Sequence, residues 1–431
     1  MNKYHKKNLA LLLVLLLLIL SLFPIVNSIE IKEPKESKSE SSDDIVELDL
    51  LRGEYYLYIN ATEDVDSFNI LYAFPVELNH QFPIMIKIFN DTTEDLLLNY
   101  KIENDTNEPN KIVNFTIGSM EKDESALIHF SYFVIVKNHN YSDLPKKVKI
   151  PKKDELPSET KKWLSKTKVV QKNRILIRIR ARQMRFLTNN VLKIAKRIAF
   201  FCKFHRYTLF FIQYKLGAYR SQDAFTALLI NGECPARSHL GCALFRANNI
   251  PARVLLANPD YNFWYEMHYM TEYYLPDYGW ILTEVHKGIT PYEPKNQIIL
   301  RVCYPEDEND TQSDFVNKKM KGLERWFWID NEFINPYYKD LVEGSRCKMF
   351  REKEVFTDKI SGEEAVNISK IVFHKYEHYL GMSLAGDNLE YFKNATNYQF
   401  EAINDFKESD DESGYITYMN KANEEYDNII I

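Results

Sequence analysis

The chain has 431 residues, 45% hydrophobic and 27% charged, with only 13 glycines and a net charge of −6. It is too long for one small domain, too apolar for a disordered chain and too glycine-poor for collagen-like or linker-like architectures, so two to four domains are expected. No GxxxxGK[ST] or GxGxxG string occurs, so no cradle for nucleotide phosphates is expected, and no cofactor.

Residues 1–28 open with Lys3, Lys6 and Lys7, continue through an apolar run over 9–26 and close on small residues, the layout of a secretory signal. Its removal would take the net charge from −6 to −9. Ser21 and Pro24 interrupt a run already at the lower length limit for spanning a bilayer, so an uncleaved N-terminal membrane anchor is the alternative. Both predict a secreted or cell-surface protein. Sequons at Asn60, Asn90, Asn104, Asn114, Asn140, Asn309, Asn367 and Asn394 agree with that address and are expected in surface loops as glycosylation candidates.

Residues 29–44 are Lys-, Glu- and Ser-rich and read as a flexible spacer. Over 45–138, short β-rich runs (EYYLYI, FPIMIKIF, DLLLNYKI, KIVNFTI, ALIHFSYFVIV) alternate with Asn/Asp turns, which predicts an all-β immunoglobulin-like sandwich. A Pro- and Lys-rich linker follows over 139–158. It opens a basic zone: residues 146–206 hold 20 Lys/Arg against three acids, net +17, leaving −23 on the rest. Solvated helix faces account for such charge; the functional alternative is a face toward an acidic polymer or acidic protein, and nucleic acid is not expected for an exported chain.

Thr188-Asn189-Asn190 caps a predicted helix through about residue 205, with Val191, Ile194, Ala195 and Ile198 on one face. A short helix over 223–230 precedes the string NGECPARSHL. There Cys234 opens a further helix, with Pro235 suited to its first turn. Unpaired amides and the macrodipole at a helix N-terminus favour an anion, so Cys234 is a candidate nucleophile. The helix should stop at Asn248-Asn249, where asparagine takes the left-handed cap, and IPARVLL leaves as a buried strand. YEMHYMTEYYL and GWILTEV then form a hairpin around Pro276-Asp277-Tyr278, on which His268 and Glu284 meet as cross-strand neighbours. A thiol, an imidazole to carry its proton and a carboxylate to orient the imidazole are what nucleophilic acyl transfer needs.

The strings GECPARSHLGCALFRANNIPARVLL and HYMTEYYLPDYGWILTEV resemble the transglutaminase-like superfamily of papain-type Cys-His-Asp enzymes over roughly residues 160–290. The resemblance implies an α+β core with an antiparallel sheet, Cys234 as nucleophile, His268 as general base and acid, and Glu284 where the family has Asp. Arg253, Glu272 and Trp280 fall on fold-supporting positions. The departures are Glu284, whose extra methylene predicts looser geometry, Met270 where an aromatic is usual, and Asn249 where glycine is usual. For the oxyanion hole the expected donors are the Cys234 backbone N–H and, as a guess, Gln222.

With Cys234 set aside as a free thiol, Cys202, Cys242, Cys303 and Cys347 make two possible disulfides. A strand (NQIILRVCY) and an aromatic segment (ERWFWIDNEFINPYY) complete a core over 159–360, and residues 361–431 read as three amphipathic helices. The first of these carries His374-Lys375-Tyr376-Glu377-His378, an HxxEH string that would suit a zinc peptidase if Glu401 or Glu408 supplied a third ligand; no metal is expected. The sequence therefore predicts an exported transglutaminase-like cysteine enzyme acting on a protein or peptide substrate at the cell surface, hydrolytic rather than crosslinking. A non-catalytic surface or binding module on the same fold is the alternative.

Overall fold

The computed structural model describes residues 45–93, 95–138, 141, 144–204, 222–229, 232–260, 267–310, 327–337 and 346–430. The signal or anchor, the spacer, Asn140 and the end of the basic zone lie outside them. Residues 45–431 make one compact unit. Among the described residues, no helix is long and apolar enough to cross a membrane.

Two sheets of the N-terminal region pack face to face. The first is ordered β12-β1-β6-β3, from β1 (Ile45–Ala61), β3 (Gln81–Ile88), β6 (Ser125–Lys137) and β12 (Ile334–Tyr337), with β13 (Arg346–Asp358) also pairing β1. The second is ordered β11-β2-β5-β4, from β2 (Phe68–Phe74), β4 (Leu97–Asn104), β5 (Lys111–Ile117) and β11 (Phe327–Ile329). Alternation along the strands turns aromatic rings between the layers: Tyr55 lies 5.4 Å from Tyr72 and 5.1 Å from Phe130, and Phe74 lies 4.9 Å from Tyr132. The expectation of a self-contained immunoglobulin-like sandwich over 45–138 is corrected: β11, β12 and β13, expected from the sequence in the catalytic-type core, belong to these sheets. β13 runs antiparallel to β1 from Ile45↔Asp358 to Tyr56↔Arg346 and covers an edge that β1 would otherwise expose.

A third, separate sheet is ordered β10-β7-β8-β9, from β7 (Ala252–Pro259), β8 (His268–Leu275), β9 (Gly279–Thr283) and β10 (Gln297–Val302). Helices α1 (Ile175–Met184), α2 (Val191–Phe204), α3 (Ala224–Leu229) and α4 (Cys234–Ala247) precede it, and α4 is buried along nearly its whole length. Edge strand β10 is capped by amides from the N-terminal region. Gln81 Nε2 donates to the Ile299 carbonyl at 2.8 Å and Gln81 Oε1 accepts its N–H at 2.7 Å; Asn110 does the same for Val302, both at 2.8 Å. These two side chains satisfy backbone groups that a buried edge would leave unpaired.

After α5 (Pro305–Asp310), helices α6 (Lys359–Tyr379), α7 (Asp387–Glu408) and α8 (Ser413–Asp427) close the chain. They dock on the first sheet: Tyr376 Oη donates to the Ile86 carbonyl at 3.2 Å and Gln399 Nε2 to the Ile84 carbonyl at 3.2 Å.

The disulfide expectation fails. All five cysteines are free thiols, and Cys202, Cys242, Cys303 and Cys347 are each buried, serving as small apolar fillers on α2, on α4, after β10 and in β13. Burial pushes the Cys202 thiol up to about 12. Thiol counting in denaturant is expected to find five reactive groups, and a count of one would restore the two bridges.

The sequons are not all in loops either. Asn90 sits in an exposed turn, and Asn104 and Asn309 are exposed at the ends of β4 and α5. Asn367 is exposed on α6, whereas Asn60 and Asn114 are half-buried inside β1 and β5 and Asn394 is half-buried on α7.

Candidate active site

Local chemistry sets the position of Cys234. Asp223 caps α3 by accepting the N–H groups of Phe225 and Thr226, each at 2.9 Å, and Cys234 then opens α4 with proline in its first turn. Gly232 is required just before it: a Cβ there would stand 2.2 Å from that of Ala236 in the first turn of α4. The helix ends as the sequence predicts, with Asn249 at φ 63°.

Two contacts register this helix against the sheet that carries the imidazole. Ser238 Oγ donates to the Tyr269 carbonyl of β8 at 2.9 Å, and Phe245 stacks on Tyr273 with ring centroids 5.0 Å apart. The first residue of β8 is His268, buried and near enough to Cys234 for the two side chains to interact electrostatically. Its Nε2 meets Glu284 Oε2 at 2.6 Å, which leaves Nδ1 as the ring nitrogen for the thiol. The ladder pairs Thr271 with Thr283; continued by one step it sets Met270 opposite Glu284 and His268 on the diagonal. A diagonal partner is farther away than a direct one, and glutamate's extra methylene spans that distance. The expected looseness is thus absent. Glu284 Oε1 is held as well, accepting the His286 backbone N–H at 2.7 Å.

The charges agree with this geometry. Burial disfavours the imidazolium of His268, but the Glu284 carboxylate, its hydrogen bond and the neighbouring Cys234 outweigh it and raise its pKa to about 10. For Glu284 burial pushes upward, and the His268 charge with the His286 amide overcomes it, holding the carboxyl below its usual range. Cys234 itself is partly exposed, while His268 and Glu284 are buried. A nucleophile open to substrate, backed by a buried and oriented base, is the arrangement acyl transfer demands.

Gln222, the guessed oxyanion donor, is tied to the residue before Cys234. Its Oε1 accepts the Glu233 N–H at 3.2 Å, one residue from Cys234, and that bond fixes which end of the carboxamide donates elsewhere. The fold-supporting trio is also gathered: Arg253 Nε donates to Glu272 Oε2 at 2.7 Å, directly across the β7–β8 ladder, with its guanidinium 4.1 Å from the Trp280 ring. Two histidines that the sequence did not single out support the site. Nδ1 of His239 bonds the Gln222 carbonyl at 2.5 Å and anchors that segment to α4. The His286 ring packs edge-on to His268 at 5.9 Å, and burial together with Arg237 and His268 pushes its pKa down to about 4. A histidine two residues after the orienting acid was the available signal for the second.

The zinc reading is corrected. His374 Nε2 bonds Glu77 at 2.8 Å and Glu377 pairs with Lys111, so these two side chains are engaged with the N-terminal region, and His378 is exposed. Among the described residues, one set of three ligating side chains comes close enough to share a metal: Glu47, Asp49 and Glu354. Lys295 pairs with Glu47 and Glu354, and Arg351 pairs with Asp49.

A buried imidazole between a thiol and a carboxylate, assembled from a helix N-terminus and an antiparallel hairpin, defines a cysteine-enzyme type of centre. Residues 181–285 match the Transglutaminase-like superfamily, so this stretch is a transglutaminase-like core. A solved structure of a proposed cysteine protease from Cytophaga hutchinsonii is similar over 73% of this chain and 93% of its own, at 12% identity and a TM-score of 0.48. Comparison with curated proteins found no match.

Proposed function

We propose that this protein is an exported cysteine hydrolase of the peptidase or amidase kind, acting on a protein or peptide at the cell surface. The observation that carries the reading is the buried His268 imidazole, held by Glu284 at 2.6 Å and interacting with the partly exposed Cys234 that opens α4. Cys234 gives its proton to His268, and its sulfur attacks the amide carbon. The Cys234 N–H and the Gln222 carboxamide take up the oxyanion. The C–N bond breaks as His268 returns the proton to the departing amine, leaving a thioester. Water, which reaches the partly exposed sulfur, then attacks that carbon while His268 accepts its proton. The carboxylic acid leaves and the proton returns to the thiolate. Secretion and glycosylation rest on the N-terminal apolar run and the exposed sequons alone.

Peptide mixtures digested in ¹⁸O-water test the hydrolytic step. One ¹⁸O atom at each newly formed carboxyl group is expected, together with no incorporation of a fluorescent primary amine into glutamine-containing protein. Amine incorporation in preference to ¹⁸O would assign crosslinking instead.

A further inference from the structure

Between Glu159 and Asp223 the sequence contains no acidic residue. Helices α1 and α2 fall in this stretch, and both pack inward on α4. The inner face of α1 is Ile177, Ala181 and Met184 with Arg180, and that of α2 includes Ile194, Ala195, Ile198 and Cys202. Their outer faces are amphipathic in an unusual way. On α1 the exposed positions are Ile175, Arg178, Ile179 and Arg182, at the i, i+3, i+4, i+7 spacing of a single stripe. On α2 they are Lys193, Lys196, Phe200, Lys203 and Phe204. Cations and large apolar side chains thus share each solvent face, and among the described residues Arg178, Arg182, Lys193 and Lys196 form no ion pair.

The turn joining the helices carries the most exposed apolar pair. Phe186 is 67% exposed and Leu187 88% exposed. Leu187 has φ 57°, a left-handed conformation that a side chain disfavours and glycine would adopt without strain. The turn is nevertheless held firmly: Arg197 donates to the carbonyls of Met184 at 3.0 Å and Phe186 at 2.8 Å, and Arg185 grips Asn189 Oδ1 through two nitrogens at 3.0 and 2.9 Å. A strained leucine and a phenylalanine are therefore presented to solvent on a rigid tip, which folding alone does not ask for.

We infer that the α1–α2 hairpin is a docking surface for an anionic lipid bilayer, with Phe186 and Leu187 entering the interface and the flanking arginines and lysines lying among the headgroups. Charge complementarity selects the partner's sign, since each Lys or Arg near an anionic leaflet adds attraction. The apolar tip selects a bilayer over an acidic polypeptide, because apolar side chains ringed by cations match the boundary between headgroups and acyl chains. The surface runs up to the nucleophile helix: Arg237, one turn after Cys234, donates to the Lys203 carbonyl at 3.1 Å.

The test is co-sedimentation of the full chain with vesicles of phosphatidylcholine alone and of phosphatidylcholine with a quarter phosphatidylglycerol, at fixed salt. The N-terminal apolar run contributes to both, so the difference between the two reads the hairpin. Wild type is expected to favour the anionic vesicles. Arg182→Glu combined with Lys196→Glu is expected to reduce that preference by roughly thirtyfold or more, and Leu187→Gly is expected to reduce binding to the anionic vesicles by about tenfold. Because glycine suits that backbone, Leu187→Gly is expected to melt at or above the wild-type temperature, which separates lost docking from lost folding. Equal partitioning onto both vesicle types, or variants that bind anionic vesicles as wild type does, would overturn the inference. So would binding to soluble polyglutamate that withstands Leu187→Gly, which would assign the face to an acidic polypeptide.

Discussion

Replacing His268 with alanine is expected to lower amide turnover by about 10²–10⁴-fold, the range for loss of a positioned acid–base group. The imidazole is the proton carrier in both halves of the proposed reaction. Glu284→Gln is the companion variant, since it keeps the shape and removes the charge. In the wild type Glu284 helps hold His268 protonated up to about pH 10 against the opposing effect of burial. The imidazolium that expels the amine is therefore present through neutral pH and is lost as pH rises through that value, so activity should fall there. Without the carboxylate, burial prevails and the fall moves to lower pH. The pH profile of kcat/KM measures this. An unchanged alkaline limb in Glu284→Gln would show that the carboxylate does not orient or charge the imidazole.

The second large effect concerns stability. Arg246 near the end of α4 and Glu308 on α5 form a fully buried bidentate pair, at 2.8 and 2.6 Å, with both side chains at 0% exposure. Thr167 Oγ1 donates to Glu308 at 2.8 Å and Arg246 Nε donates to the Ala252 carbonyl at 2.8 Å, so the pair ties the nucleophile helix to the start of β7. Burial favours a neutral guanidine, but the Glu308 charge prevails and keeps it ionised. Glu308→Ala leaves that charge buried without its partner and is expected to cost about 3–5 kcal/mol in denaturant unfolding. Replacing both together, Arg246→Met with Glu308→Leu, is expected to recover most of the loss, because desolvating two charges costs nearly what their attraction returns. A loss below about 1 kcal/mol for Glu308→Ala would mean that water or another group takes the place of the carboxylate.

The site was legible because its signals are local. A glycine, a cysteine and a proline at a helix start, an asparagine cap at 249, and a histidine and an acid on adjoining strands are all readable over a few residues, and Cys234, His268, Glu284 and the Arg253–Glu272 pair come together as those signals imply. Features set by distant pairing were not legible. β13 is rich in Lys and Glu, and only its register against β1, some 300 residues earlier, identifies it as a sheet strand. The strand FNILYAF of β2 carries little period-2 signal, because apolar residues occupy both of its faces. Cysteine number did not predict pairing, since each buried thiol answers to its own packing neighbourhood. The HxxEH string was misleading for a related reason: its helical spacing fits a metal, but its partners come from distant segments, Glu77 from the loop between β2 and β3 and Lys111 from β5.

The central claim is that Cys234 is a nucleophile activated by its own fold. Brief reaction of the native protein with labelled iodoacetamide at neutral pH, followed by peptide mapping against a urea-unfolded control, tests it most directly. Label is expected to accumulate on Cys234 faster than in the control while Cys202, Cys242, Cys303 and Cys347 stay protected. Labelling of native Cys234 no faster than in the unfolded chain would contradict the claim, and would leave a binding module that keeps the fold without the chemistry.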